Sequence, residues 1–460
     1  MTTGLIISLI LFTFIAFFRL DKAVLLIILL LPSYLLRFHI LSIPFTFLEA
    51  MILISFIFWF LKTTKLKINN WLKTRKERTP YPFAKEIIII LIAAFISSLI
   101  TVFNPASLGI LKAYFFEPIM LYILLLNTLP GKSGRDKIIN TLALSALITA
   151  LFAILQKYTG LFIFNEFWQA TETRRVVSWF GYPNAVGLFL APIVMLIAGQ
   201  LASLKKTKNK KYYFSIIFFS LTIISSLLAI YFARSEGALI ALLASAFIFI
   251  FFSGRAGKII SSTSFILLVF AILFIPQLKT LTINKLTLQD LSGEIRKQQW
   301  RETMMTLTGK SFILGNGLSN YQTTVAPFHQ EGIFFNRDKI ENFHSVLYGN
   351  AELRAKYWQP VEIYIYPHNI VLNFWSELGL LGLLGFLILI IKFLIKSFLL
   401  FIKNNNFLAL GLFSSMLVII IHGLVDVPYF KNDLAALFFI ILSLLASLIL
   451  DQKKIKTTKI

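Results

Sequence analysis

Histidine is scarce in this chain, five among 460 residues. One of them, His368, stands at the head of a long apolar run, YPHNIVLNFWSELGLLGLLGFLILI (366–390). A neutral imidazole accepts a proton from a hydroxyl near neutral pH, so His368 is a candidate general base. The plain alternative is an interfacial residue. Pro367 suits a helix start, and Asn369 can cap the backbone beside it. Glu377 lies nine residues on, on roughly the opposite helical face, so it is not the partner of His368. A carboxylate within an apolar run costs roughly 2.5 kcal/mol or more and should face protein or a cavity. A buried hydrogen-bonding role is favoured for Glu377 over a catalytic one. Gly379, Gly382 and Gly385 read as close helix packing.

Arginine is the second candidate chemistry. A guanidinium keeps its charge at any working pH and offers a planar fork of donors suited to phosphate oxygens. Arg174, Arg175, Arg234 and Arg296 fall near predicted membrane boundaries, where snorkelling anchors are the alternative reading. For Arg296 the pattern favours function. Ser292 can cap a helix from Gly293, on which Arg296, Trp300, Met304 and Leu307 share a side, with Gly309 as the stop. Such a helix would rest at a lipid interface. In RRVVSWFGYPNAVGLFLAP (174–192), Pro183 and Asn184 mark a helix start. In HGLVDVPYF (422–430), Asp426 either orients a base or an arginine, or is a turn residue ahead of Pro428.

Several chemistries are excluded. There is no phosphate-binding GxxxxGK[ST] loop, no HExxH, no DxD-type carboxylate pair and no GxSxG elbow. Cysteine is absent, which removes disulfides and thiolate metal sites.

The elements that must position these groups are membrane helices. The chain is 57% hydrophobic and only 14% charged, with a mean hydropathy of +0.80. Apolar runs of near-bilayer length recur throughout and predict an all-α, polytopic membrane protein. Thirteen segments are expected, near 5–18, 23–41, 45–61, 86–103, 111–129, 138–157, 183–201, 212–232, 237–252, 259–275, 369–391, 406–425 and 432–450. No Lys or Arg precedes Leu5–Phe18, so that run reads as a retained segment rather than a signal peptide. The net charge of +23 reads as topology rather than nucleic-acid binding. With the C-terminal tail cytoplasmic, the alternate connections facing inside hold 27 of the 44 Lys and Arg. The short connections outside hold seven. This is the positive-inside bias, with long loops exempt. It places the N-terminus outside, or inside if 5–41 crosses once and twelve helices span. The expected organisation is a bundle over 1–275, a large extracytoplasmic loop over 276–367, further helices over 368–450 and a basic cytoplasmic tail over 451–460. The candidate residues then gather on the outer face.

Four blocks in order resemble the O-antigen ligase and polymerase-like membrane glycosyltransferases, related in fold to the lipid-carrier class. They are RRVVSWFGYPNAVGLFL, RKQQWRETMMTLTGKSFILGNGLSNY with Arg296, Trp300, Gly315 and Gly317, HNIVLNFWSELGLLGLLGF, and HGLVDVPYF. The resemblance covers about 85–450. It implies transfer of a glycan from undecaprenyl diphosphate to a lipid, glycan or protein hydroxyl outside the cytoplasmic (inner) membrane. Arg175 and Arg296 would hold the diphosphate, with Arg174 and Arg234 beside them, and His368 would assist the acceptor. No metal, nucleotide or other cofactor is implied. The chain departs from the family's S-R-G pattern at ARSEGA. The matching position is Glu236, which pairs with an arginine or reads a sugar. Arg234 takes the role only if the chain is not helical there. A repeat-unit polymerase or a protein O-oligosaccharyltransferase would use the same site. A lipid-linked glycan transporter would instead place ionisable groups near the bilayer midplane.

Overall fold

The computed structural model describes residues 2–40, 43–68, 81–207 and 209–457. The chain is an all-α polytopic membrane protein. Eight described helices are long and apolar enough to span a bilayer, and Thr3–Phe18, Glu236–Phe252 and Phe407–Gly423 are shorter apolar helices. We number the main helices α1 Thr2–Phe18, α2 Leu20–Leu29, α3 Phe47–Ile68, α4 Ala84–Ile100, α5 Pro105–Thr128, α6 Gly131–Thr159, α7 Pro183–Ala202 and α8 Lys210–Phe232. There follow α9 Glu236–Phe252, α10 Arg255–Phe274, α11 Pro276–Leu286, α12 Leu291–Thr306, α13 Ile370–Asn404, α14 Phe407–Gly423 and α15 Asn432–Thr457. Asparagine starts many of them: Asn104, Asn209, Asn369 and Asn406 each accept a backbone N–H from the first turn of their helix.

The predicted segment 23–41 is not one helix. α2 ends at Leu29, a 3₁₀ turn covers Leu31–Leu35, and a hairpin of β1 (Arg37–Ile40) and β2 (Ile43–Thr46) returns the chain to α3. Ten helical residues reach about 15 Å, half a hydrocarbon core. The basic linker within 62–85 falls largely outside the described residues, as does the end of the tail.

α7 and α15 form the buried centre, while α10 at the periphery is almost wholly exposed. α7 crosses α14 at Gly199 and Gly411, where a Cβ on Gly199 would lie 2.4 Å from the Gly411 Cα. This is close packing by small residues, the usual contact between helices in lipid.

Polar contacts sort the helix ends into two groups. At one end Arg135 meets Asp451 and Ser447, Gln200 meets Asp136, and Lys392 pairs with Glu86. At the other, Lys112 and Asn432 both reach Glu49. The candidate residues lie at this second end.

α13 is broken at Gly379, which reads from sequence as a helix-packing residue. Gly379 has φ 69° and ψ −173°, which is not helical. The freed backbone is taken up by neighbours: Asn316 N–H donates to Ser376 O at 2.6 Å, and Ser97 Oγ on α4 donates to Glu377 O. The turn Lys310–Leu314 and Gly315 fill the break so tightly that a Cβ on Gly379 would lie 2.3 Å from Ile313 O. Irregular backbone is tolerated at such depth because protein buries it.

Candidate active site

Arg175 precedes α7 by eight residues and is fixed by carbonyls. Its Nε donates to Ala233 O at 3.0 Å, and one terminal nitrogen donates to Arg234 O at 3.3 Å and Asn184 Oδ1 at 3.2 Å. Arg234 sits in the turn between α8 and α9 with φ 50°. The chain is therefore not helical there, and the Arg234 side chain reaches the same cleft as Arg175. Burial and the Arg234 charge push the Arg175 guanidinium down, against the opposing pull of Glu236.

Arg296 comes from α12. The cap of that helix is Asp290, not Ser292, with Asp290 Oδ1 accepting Gly293 N–H at 3.0 Å. Ser292 Oγ accepts from Arg296 at 2.8 Å instead, and Arg296 Nε donates to Val425 O at 2.9 Å. The helix ends at Thr306, and Gly309, expected as its stop, caps the next short turn. One helical turn past Arg296, Trp300 Nε1 donates to Pro367 O at 2.9 Å. α12 thus grips both the 424–431 turn and the residue before His368. Its polar Gln299, Glu302 and Thr303 are buried, while Met304 and Met305 are exposed. Met304 thus faces outward as expected, whereas Leu307, expected on the same side, is buried.

Arg175, Arg234 and Arg296 line one cleft of about 430 Å³. Lys285 and His422, which sequence reasoning did not single out, line it too, together with Asn184, Glu236 and Asp290. Glu236 pairs with Lys285 at 2.6 Å, so its partner is a lysine rather than an arginine. His422 is buried against Gly237, where a Cβ would come within 2.8 Å of the ring. It opens the HGLVDVPYF block, and its rarity was the available signal. Lys285 carried none.

Arg174 points elsewhere. It donates to Gln169 O at 2.9 Å and Lys157 O at 3.1 Å, and closes over Gly160. It ties the 158–173 loop together and does not line the cleft. Glu377 is likewise remote. It is buried beside the Gly379 break, and its Oε2 has no hydrogen-bond partner among the described residues.

His368 is not among the cleft-lining residues. It stands one step behind them, with φ 46° and its ring edge-on to Tyr364 and Tyr366. Its Nδ1 faces Asp426 Oδ1 at 3.6 Å, a contact longer than a hydrogen bond. Asp426 is no mere turn residue. It is 1% exposed, accepts Val427 N–H at 2.9 Å, and its other oxygen accepts from Asn184 at 3.4 Å. A chain of contacts therefore runs from His368 through Asp426 and Asn184 to Arg175. Burial alone would raise the Asp426 carboxyl, but the nearby His368 ring, His422 and the Val427 N–H hold it at about 2. Asn369 caps α13 through Val371 and Leu372 and donates to Leu424 O at 3.0 Å. His368, Asp426 and Arg296 are thereby held around one turn.

No curated protein matches the chain. Residues 221–387 match the family model described as O-antigen ligase, a stretch that holds Arg234, Arg296 and His368. Over this part of the chain, the match supports a place in an O-antigen ligase-like family of membrane proteins.

Proposed function

We propose that this protein moves a glycan from undecaprenyl diphosphate to an acceptor hydroxyl at the extracytoplasmic face of the cytoplasmic membrane. The observation that carries this reading is the convergence of Arg175, Arg234 and Arg296 on one cleft beside a His–Asp pair. In the proposed step the acceptor hydroxyl gives its proton to His368 Nε2. The acceptor oxygen attacks the anomeric carbon as the anomeric C–O bond to the diphosphate breaks. The electron pair leaves on the phosphate oxygen, where guanidinium donors stabilise the charge. Asp426 beside Nδ1 keeps the ring proton there, which leaves Nε2 free as the base, and stabilises the imidazolium that forms. The scheme invokes no metal, because the donor carries its own leaving group. The outward assignment is supported by the basic residues, which accumulate on connections of the opposite end.

The test is transfer by a His368→Ala variant in membranes of matched protein content. Loss of a general base lowers the rate by about 10²–10⁴-fold, and transfer at the wild-type rate would remove His368 from the mechanism. A deletion strain identifies the acceptor: long carrier-bound chains that never reach the surface mark a ligase, and single repeat units mark a polymerase.

A further inference from the structure

Lys285 belongs to none of the sequence blocks, yet it lines the cleft with the three arginines. The helix that carries it, α11, buries none of its residues, so packing of α11 does not set the position of the ammonium group. Two carboxylates do. Nζ lies 2.6 Å from Glu236 Oε2 and 2.6 Å from Asp290 Oδ2. Both are anchored, Glu236 as the first residue of α9 and Asp290 as the cap of α12. Burial would lower the Lys285 ammonium, but these two bonds raise it, so it stays charged. An ammonium has three donors. Two are taken, and the third is left for a ligand in the cleft.

The charges agree with this. Arg175, Arg234, Lys285 and Arg296 face Glu236 and Asp290, an excess of two positive charges. A diphosphate esterified at both ends carries two negative charges. We propose that Lys285 is a fourth phosphate-contacting cation of the cleft, held in place by Glu236 and Asp290. This rests on the diphosphate reading above.

The test uses inorganic pyrophosphate titrated into purified full-length protein in detergent at low, fixed ionic strength, since screening weakens such contacts. Lys285→Met is expected to lose about tenfold in affinity, about 1.4 kcal/mol, and Lys285→Arg to recover most of it. Arg296→Ala should lose at least as much as Lys285→Met. If Lys285→Met binds like the wild type while Arg296→Ala does not, Lys285 only braces the helices and the inference falls alone. If the wild type binds no pyrophosphate, the diphosphate reading falls and takes this inference with it.

Discussion

Asp426→Asn isolates the charge behind His368 while keeping the size of the side chain. Asp426 is buried, and its carboxyl lies at about 2, against 3.8 for a free side chain. That fall corresponds to on the order of 2 kcal/mol of folded-state stabilisation carried by the ionised form. Because the folded value is depressed, this contribution is complete above about pH 4 and is lost as pH falls through about 2. The asparagine variant should lack it at neutral pH, and its stability should depend less on pH between 4 and 2. The effect on transfer follows from the ring. An amide that donates to Nδ1 drives the proton onto Nε2, which can then no longer act as a base. General-base catalysis is worth about 10²–10⁴-fold. The Nδ1–Oδ1 separation is 3.6 Å rather than a full hydrogen bond, so a kcat loss near the lower bound, about 10²-fold, is expected. Asp426 is not among the cleft-lining residues, so the donor KM should move by no more than about threefold. The assay is transfer from labelled lipid-linked donor in proteoliposomes across a pH series, with thermal unfolding of the same preparations. A kcat within about threefold of the wild type would refute the assignment of Asp426 to His368.

Two further outcomes separate neighbours that look alike in sequence. Arg175→Gln should weaken donor binding, whereas Arg174→Gln should leave donor KM unchanged and cost about 1–3 kcal/mol of stability through its lost carbonyl bonds. Donor-concentration series on both variants check this, and the reverse order would contradict the placement of the two side chains. Gly379→Ala meets both a left-handed φ and the backbone of Ile313, so it should cost about 3 kcal/mol or more. Protease sensitivity of the 311–318 loop reports the loss, and a loop as resistant as the wild type's would count against that contact.

The helices were legible because apolar runs of bilayer length leave few alternatives. Segment 23–41 misled because apolar composition alone does not separate a helix from a β-hairpin, and RFHI and IPFT are rich in strand-forming residues. Asp290 and Ser292 are equally good caps two residues apart, and the difference lies in the Lys285 and Arg296 contacts that each one makes. Arg174 and Arg175 are adjacent, so no periodicity could say which faces the cleft. Arg234 was readable only conditionally, and its left-handed backbone decided the matter. Lys285 acquires its place from Glu236, far away in sequence. His368 was found by type and position, but not its place behind the cleft rather than within it.

The break at Gly379 has a mechanical consequence. The short arm of α13 that follows His368 hangs from Asn316 and Ser97 and is not a rigid continuation of the long rod below it. A rod that tilted as the bilayer thinned or thickened would bend at this joint, ahead of the imidazole. By the same suspension, a change at Ser97, on a different helix and hundreds of residues away, would be felt at the histidine before it was felt in the rest of α13.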